Sequence, residues 1–163
     1  MSFYIIIRGP LGCGKSSISK KLSKIINAKY FGIDNILAEN NLENDWEKGY
    51  ISQKSFKKAN EILVPQAQKI LNMGKSVIFD GNFYWKSQVE DLIAKLNYPH
   101  YVFTLKAPLE LCIERDKNRK KSCGEDATKA VFNKTTEFDL GINIDVSKSL
   151  QECLNEISSY LPK

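Results

Sequence analysis

The chain reads G-P-L-G-C-G-K-S from Gly9 to Ser16, directly after F-Y-I-I-I-R and directly before a helical pattern. No other stretch narrows its fold so far. The spacing is G-x-x-x-x-G-K-S, and it needs a strand before it and a helix after it to have meaning. Ile5, Ile6 and Ile7 form a continuous apolar run, as in a strand buried on both faces. Ser17 to Asn27 follows, with Ile18, Leu22, Ile25 and Ile26 at helical spacing. A glycine-rich loop between two such elements turns backbone N–H groups inward, at a helix end that carries partial positive charge. The bare pattern arises by chance in roughly one chain in a few hundred of this length. Its context here predicts a phosphate cradle made of Gly9, Pro10, Leu11, Gly12, Cys13, Gly14, Lys15, Ser16 and Ser17. Pro10 and Leu11 fill the variable positions, and Gly12 lets the backbone approach the phosphates closely.

Strand and helix patterns then alternate. Lys29 to Ile33 reads as a second strand ending at Asp34, and polar Asn40 to Tyr50 as a loop or short helical excursion with Asn-Asn and Lys-Gly turns. Ser52 to Asn72 reads as a helix kinked at Pro65 and ended by Gly74. Ser76 to Phe79 is a third strand, followed by Asp80-Gly81-Asn82, and Lys86 to Leu96 a helix. His100 to Lys106 is a fourth strand, and Pro108 opens the next helix. Lys117 to Asp126 is charged and flexible, Ala127 to Thr135 a short helix, and Ile142 to Val146 a fifth strand. Ser147 is expected to cap the last helix, which carries Leu150, Leu154, Ile157 and Leu161 on one face. Five apolar strands separated by helices predict an α/β fold with a doubly wound parallel sheet. Ligands of such sheets bind beyond the carboxyl ends of the strands, which gathers Gly9 to Ser16, Asp34 and Asp80 to Asn82 at one edge.

At 163 residues the chain suits one domain, spanning 1–163, and its 42% hydrophobic content excludes a disordered composition. No secretory signal and no apolar run long enough for a bilayer is visible, so a cytoplasmic protein without a membrane partner is expected. Cys13, Cys112, Cys123 and Cys153 form no C-x-x-C pair, which leaves zinc and redox motifs unsupported. They read as buried or inert thiols, although alkylation of Cys13 could block the loop sterically. The net charge of +5 fits a polyphosphate ligand or plain solubility; a nucleic-acid partner is allowed but not required.

Phosphoryl transfer needs positioning and charge stabilisation more than covalent chemistry. Lys15 can reach the β- and γ-phosphates of ATP, and the Ser16 hydroxyl can reach Mg²⁺. Asp80, at a strand end, suits a second metal-side carboxylate, or else an ordinary Asp-Gly turn. Asp34 can take the proton of an acceptor hydroxyl, bind the metal, or merely cap a helix. Arg115 and Arg119 share a helix face and lead into R-K-K, which reads either as a lid at 117–126 that closes over ATP or as a solvated helix end. Asp116 can hold one of these arginines. Asp34, Asp80 and Asn82 are the candidate acceptor side. Phe83, Tyr84 and Trp85 either wall an acceptor pocket or pack a helix onto the sheet, and lone His100 reads as structural.

Taken together, G-P-L-G-C-G-K-S-S, F-G-I-D, V-I-F-D-G-N-F-Y and C-I-E-R-D-K-N-R resemble the small P-loop kinases of the nucleoside-monophosphate-kinase-like fold. The group most similar holds polynucleotide 5′-kinase, zeta-toxin-like sugar kinases and chloramphenicol phosphotransferase. The resemblance spans nearly the whole chain. It implies a three-layer P-loop NTPase fold: a five-stranded parallel sheet in the order 2-3-1-4-5, helices on both faces and a short lid. It also implies ATP, Mg²⁺ and transfer to a hydroxyl or phosphate. Lys15 and Ser16 match the phosphate-loop pair, Asp34 the acceptor-orienting aspartate, Arg115 and Arg119 the lid arginines, and Asp80 the strand-three aspartate of adenylate-kinase-like enzymes. Two features depart from the pattern. Leu37 stands where polynucleotide- and shikimate-type kinases carry an arginine, and D-G-N-F-Y replaces the adenylate-kinase D-G-F-P-R. Both argue against a nucleoside monophosphate kinase and against shikimate.

The competing reading is a nucleotide-dependent regulatory ATPase or an inactive binding module. Gly81 after Asp80 removes the Asp-Glu pair many ATPases use, and Asn133-Lys134-Thr135-Thr136 lacks the aspartate of a guanine reader. The sequence fits a monomer or a homodimer.

Overall fold

The computed structural model describes residues 1–163. In chain order the elements are β1 (Tyr4–Arg8), α1 (Lys15–Ile25), β2 (Lys29–Gly32), α2 (Ile33–Glu39), β3 (Trp46–Glu47), β4 (Tyr50–Ile51) and α3 (Gln53–Asn72). There follow β5 (Val77–Asp80), α4 (Lys86–Lys95), β6 (His100–Lys106), α5 (Leu109–Lys117), α6 (Glu125–Thr135), β7 (Ile142–Asp145) and α7 (Leu150–Ser159).

Five strands form one parallel sheet in the order β2-β5-β1-β6-β7. The labels run past five because β3 and β4 form a separate antiparallel hairpin. Counting only the parallel strands, the order is 2-3-1-4-5. β1 is central and wholly buried, which is why its sequence is apolar without alternation. Its side chains still divide by period two. Tyr4 and Ile6 enter a core with α3 and α4, centred on Leu63, Phe79, Val89 and Leu92. Ile5 and Ile7 enter a second core with α1, α5 and α7, built on Leu22, Phe103, Cys112 and Ile157. The sheet is therefore covered on both faces, and its polar chemistry is confined to the edge where the strands end.

Several boundaries differ from the sequence reading. α5 takes in Lys117 and α6 begins at Glu125, so the expected flexible segment 117–126 shrinks to 118–124. β2 stops at Gly32, so Asp34 lies in the first turn of α2 and does not cap it; the N-cap is Gly32. β5 begins one residue later than expected and takes in Asp80. The segment 40–50 holds β3, the turn and the first residue of β4, turned at Lys48 and Gly49 with φ of 53° and 84°. Two successive positive φ values match the twist of a two-residue hairpin. Ser149, not Ser147, caps α7: its hydroxyl accepts from the Glu152 amide while Glu152 returns to the Ser149 amide. Ser147 instead donates to Asp145. Pro65 sits within a continuous α3, which ends as expected at Gly74, where the amides of Gly74 and Lys75 reach the carbonyls of Leu71 and Ile70.

The last residue of β1 is unusual. Arg8 is fully buried, and every side-chain nitrogen is used: Nε donates to Phe83 O (3.2 Å), Nη1 to Thr104 Oγ1 (3.1 Å) and Nη2 to Thr135 O (2.8 Å). The guanidinium also lies 4.3 Å from the Phe138 ring centroid. Burial lowers its pKa to about 10, with Asp139 opposing the shift. The charge is tolerated because each of the three nitrogens has an acceptor. Arg8 thus ties the end of β1 to the loop after β5 and to the end of α6, on either side of the strand that launches the glycine-rich loop.

Candidate functional site

A cavity of about 620 Å³ opens at the carboxyl edge of the sheet. Residues 11–18 line it, together with Tyr30, Asp34, Asn35, Asp80, Arg115 and Arg119, and with Val146, Lys148, Leu150 and Cys153 from the other side. The sequence-predicted Lys15, Ser16, Ser17, Asp34, Asp80, Arg115 and Arg119 are therefore brought to one wall-to-wall space. Gly9 and Pro10 are buried beneath it, outside the lining. Asn82 does not line it either: it is half-buried, and its Oδ1 has no partner.

The glycine-rich loop is shaped by two left-handed residues, Gly12 (φ 76°) and Gly14 (φ 91°). Gly14 caps α1 without a side-chain hydrogen bond, and α1 has no acid in its first turn. Its first amides are thus free to receive an anion. Lys15 Nζ donates to Pro10 O at 2.7 Å, folded back along the loop. Arg115 reaches from α5 across the loop, with Nη2 on Val146 O (2.8 Å) and Nη1 on Cys13 O (3.4 Å). It joins the loop to the segment after β7, so it lies on the floor of the cavity. Arg119 is about half-exposed and stands 3.5 Å from Asp116.

Asp116 does more than hold an arginine. It is buried and accepts hydrogen bonds from Ser122 Oγ (2.8 Å), Cys123 N (3.1 Å) and Gly124 N (3.0 Å). Burial works against its charge, but these hydrogen bonds prevail and hold the carboxyl below its ordinary range. The charged segment between α5 and α6 is therefore a compact turn wrapped around one carboxylate.

Asp80 occupies the other side of the loop. Its Oδ2 accepts from Ser16 Oγ (3.1 Å) and from Tyr30 OH (2.7 Å). Burial first, and the bond to Asp80 next, push the Tyr30 phenol well above its ordinary range. No group of three or more His, Cys, Asp or Glu side chains is arranged to hold a metal ion. Ser16 and Asp80 offer hard oxygen donors beside the phosphate loop, a set that fits Mg²⁺ carried in on nucleotide phosphates. Asp34 is exposed along the cavity wall, yet protein surrounds it on most sides. That loss of bulk water raises its carboxyl pKa; Lys15 pulls it back, while Asp80 and Glu43 add to the rise.

Several lining residues were not legible in the sequence. Tyr30, Asn35 and Lys20 carry no motif. Val146, Lys148 and Leu150 follow a strand directly, so the strand-end rule could have found them. Phe83, Tyr84 and Trp85 take the packing alternative. All three are buried; Tyr84 OH accepts from Ile51 N (3.1 Å) and Trp85 Nε1 donates to Ile51 O (2.7 Å), so these two fasten the hairpin while Phe83 packs in the core. His100 stacks on Tyr4 at 5.1 Å. Cys13, Cys112 and Cys153 are buried and Cys123 is exposed. Burial pushes the Cys13 thiol up, which disfavours the thiolate and its alkylation. Cys123 is the reachable thiol. No helix is long and apolar enough to cross a membrane.

The sequence model of an AAA domain family, AAA_33, matches residues 5–138. No curated protein matches the sequence at a significant level. Among solved structures, a sugar kinase from Janibacter sp. HTCC2649 superposes with a TM-score of 0.81 at 14% identity, covering 98% of this chain and 94% of that one. A gluconokinase from Sinorhizobium meliloti 1021 gives 0.73 at 14% identity, with 94% and 87% covered. A deoxyadenosine kinase from M. mycoides, bound to dCMP and a flexible dCDP, gives 0.57 at 18% identity, with 96% of each chain covered. At these identities the likeness is one of fold: the sheet, the phosphate loop and the flanking helices are those of small P-loop kinases.

Proposed function

We propose, from the premise that this chain belongs to the AAA_33 family of AAA domains, that it is an ATP-dependent phosphotransferase acting on a hydroxyl group. The observation that carries this reading is one cavity lined by Lys15, Ser16, Asp80, Asp34, Arg115 and Arg119. The fold shared with sugar, glucono- and deoxyadenosine kinases supports it. Residues 1–163 then act as one kinase-like domain, with ATP and an acceptor alcohol as ligands.

The α1 amides and Gly12–Ser16 hold the ATP phosphates, and Lys15 leaves the Pro10 carbonyl for the β- and γ-phosphates. Ser16 and Asp80 would hold Mg²⁺, which when bound neutralises phosphate charge. Asp34 accepts the acceptor's O–H proton, and its raised pKa makes it a better base for that task. The freed oxygen bonds to the γ-phosphorus, and the bond from that phosphorus to the β–γ bridging oxygen breaks. The bonding pair leaves with ADP, and the proton passes from Asp34 to water. Arg115 stabilises charge from the cavity floor. Arg119, on the 117–126 segment acting as a lid, exchanges Asp116 for the γ-phosphate on closure.

The test is ADP formation from MgATP across nucleosides, nucleoside monophosphates, 5′-hydroxyl oligonucleotides, sugars, sugar acids and amino alcohols. One acceptor class should raise the rate far above the ATP-only background, with one phosphorylated product per ADP. Failure to bind ATP, or the same slow ADP release with every acceptor, would overturn the proposal.

A further inference from the structure

We infer that the alcohol phosphorylated here carries an anionic group, a phosphate or a carboxylate, and that Lys20 on α1 holds it. The inference rests on the kinase reading and names the substrate class of that same cavity.

All 19 acidic residues of the chain lie after Ile33, whereas Arg8, Lys15, Lys20, Lys21, Lys24 and Lys29 precede it. The surplus charge of +5 is therefore carried by β1, α1 and β2, the elements around the phosphate loop. The cavity lining has the same bias, with Lys15, Lys20, Arg115, Arg119 and Lys148 against Asp34 and Asp80 alone. Four of these five cations have other work. Lys15, Arg115 and Arg119 serve the nucleotide phosphates in the kinase reading, and Lys148 stands on the far side, after β7, 3.9 Å from Glu156. Lys20 remains, and it pairs with no carboxylate.

Its position assigns it to the acceptor and not to ATP. Lys20 stands one helical turn beyond Ser16 on the same face of α1, about 6 Å farther from the loop. Its Nζ lies 5.7 Å from the Tyr30 ring centroid, and Tyr30 OH donates to Asp80. A Cβ added at Gly32 would stand 3.1 Å from both Tyr30 OH and Asn35 Nδ2. Phenol and amide thus converge on one bare patch of backbone, two residues before Asp34. Lys20, Tyr30, Gly32 and Asn35 form one wall of the cavity, from α1 to the start of α2. The Asn35 amide adds N–H donors to that wall. α2 carries no lysine or arginine, so the charge that meets an acceptor anion comes from α1. An acceptor whose hydroxyl reaches Asp34 lays its remainder along this wall. An anion there exchanges water for an ammonium and an amide, whereas a neutral alcohol leaves Lys20 unused.

The test is phosphoryl transfer from MgATP to matched acceptors: a sugar, its sugar acid and its monophosphate, then a nucleoside, its 3′-monophosphate and a 5′-hydroxyl oligonucleotide. In whichever set is used, the anionic member should exceed the neutral one in kcat/KM by about tenfold or more. Lys20→Ala should cut that ratio by about tenfold, through KM, and Lys20→Arg should restore most of it. Added salt should lower the wild-type ratio. Preference for the oligonucleotide over the 3′-monophosphate, with a further loss in Lys24→Ala one turn along α1, assigns the anion to a nucleic-acid end; equal use assigns it to a small molecule. Preferred use of a neutral acceptor overturns the inference. So does a ratio unchanged in Lys20→Ala, or a Lys20→Ala loss that appears equally in ATP affinity, which would place Lys20 on the nucleotide. Those three results leave the kinase reading standing. If ATP binds and no acceptor is used, the kinase reading itself fails and takes this inference with it.

Discussion

A methyl group added at Gly12 is a sharp probe of how the phosphate loop is supported. Gly12 has φ 76°, and a Cβ there would stand 2.2 Å from the Cys112 carbonyl oxygen on α5. Gly14 has φ 91°, and a Cβ there meets nothing within 4 Å. Alanine at either position incurs left-handed strain of about 1–2 kcal/mol. Either gains back about 0.4–1 kcal/mol from a stiffer unfolded chain. These effects cancel in a comparison of the two variants. What remains is the collision with α5, an overpacking cost of about 1–3 kcal/mol. For a chain of this size that difference lowers Tm by roughly 2–12 °C more in Gly12→Ala than in Gly14→Ala. The assay is thermal or urea unfolding of both variants without nucleotide, so that lost phosphate contacts do not enter. Because Cys112 shares α5 with Arg115, Gly12→Ala should also weaken ATP binding by displacing the cavity floor. Equal stability of the two variants, or a more stable Gly12→Ala, would refute the idea that α5 packs directly against the loop.

Asp34→Asn should leave ATP affinity within a few-fold while slowing transfer by about 10²–10⁴-fold, measured by equilibrium binding and single-turnover kinetics. Because the Asp34 pKa is raised, the wild-type rate should fall on acidification at a pH above the ordinary carboxylate range; folding stability from this group moves oppositely, rising as pH drops through that raised pKa. Tyr30→Phe removes one of two hydroxyls on Asp80 Oδ2 and should raise the Mg²⁺ needed for half-maximal nucleotide binding by about tenfold, with Mg²⁺-free binding unchanged. Asp116→Ala removes the charged acceptor shared by the Cys123 and Gly124 amides and the Ser122 hydroxyl, leaving Gly124 N only the Ser122 oxygen, a loss of about 1.5–3 kcal/mol that unfolding should detect and that limited proteolysis should localise to 117–124. Its lowered pKa makes that contribution present above the unfolded-state carboxylate pKa and lost as pH falls through the folded one.

What was legible in the sequence was whatever short-range pattern dictates. A buried strand, a glycine-rich turn and a helix in immediate succession admit few backbone arrangements, so Gly9 to Ser16 could be assigned from order alone. Parallel strands connected by helices end at the same edge, so Asp34 and Asp80 are expected beside the loop from their order in the chain. Tertiary structure decided the rest, because it depends on which side chains meet from distant segments. Tyr30 reaches Asp80 across 50 residues, and Arg115 reaches Val146 across 31. Arg8 reads as the polar end of a strand and proves to be a clamp on three segments. Phe83 to Trp85 suited a pocket wall or a packing face equally well; burial in the core, and for Tyr84 and Trp85 the position of Ile51, selected the second. Local spacing sets backbone geometry, which the sequence carries within a few residues, whereas partner choice for a buried polar or aromatic group is settled by the whole fold closing around it.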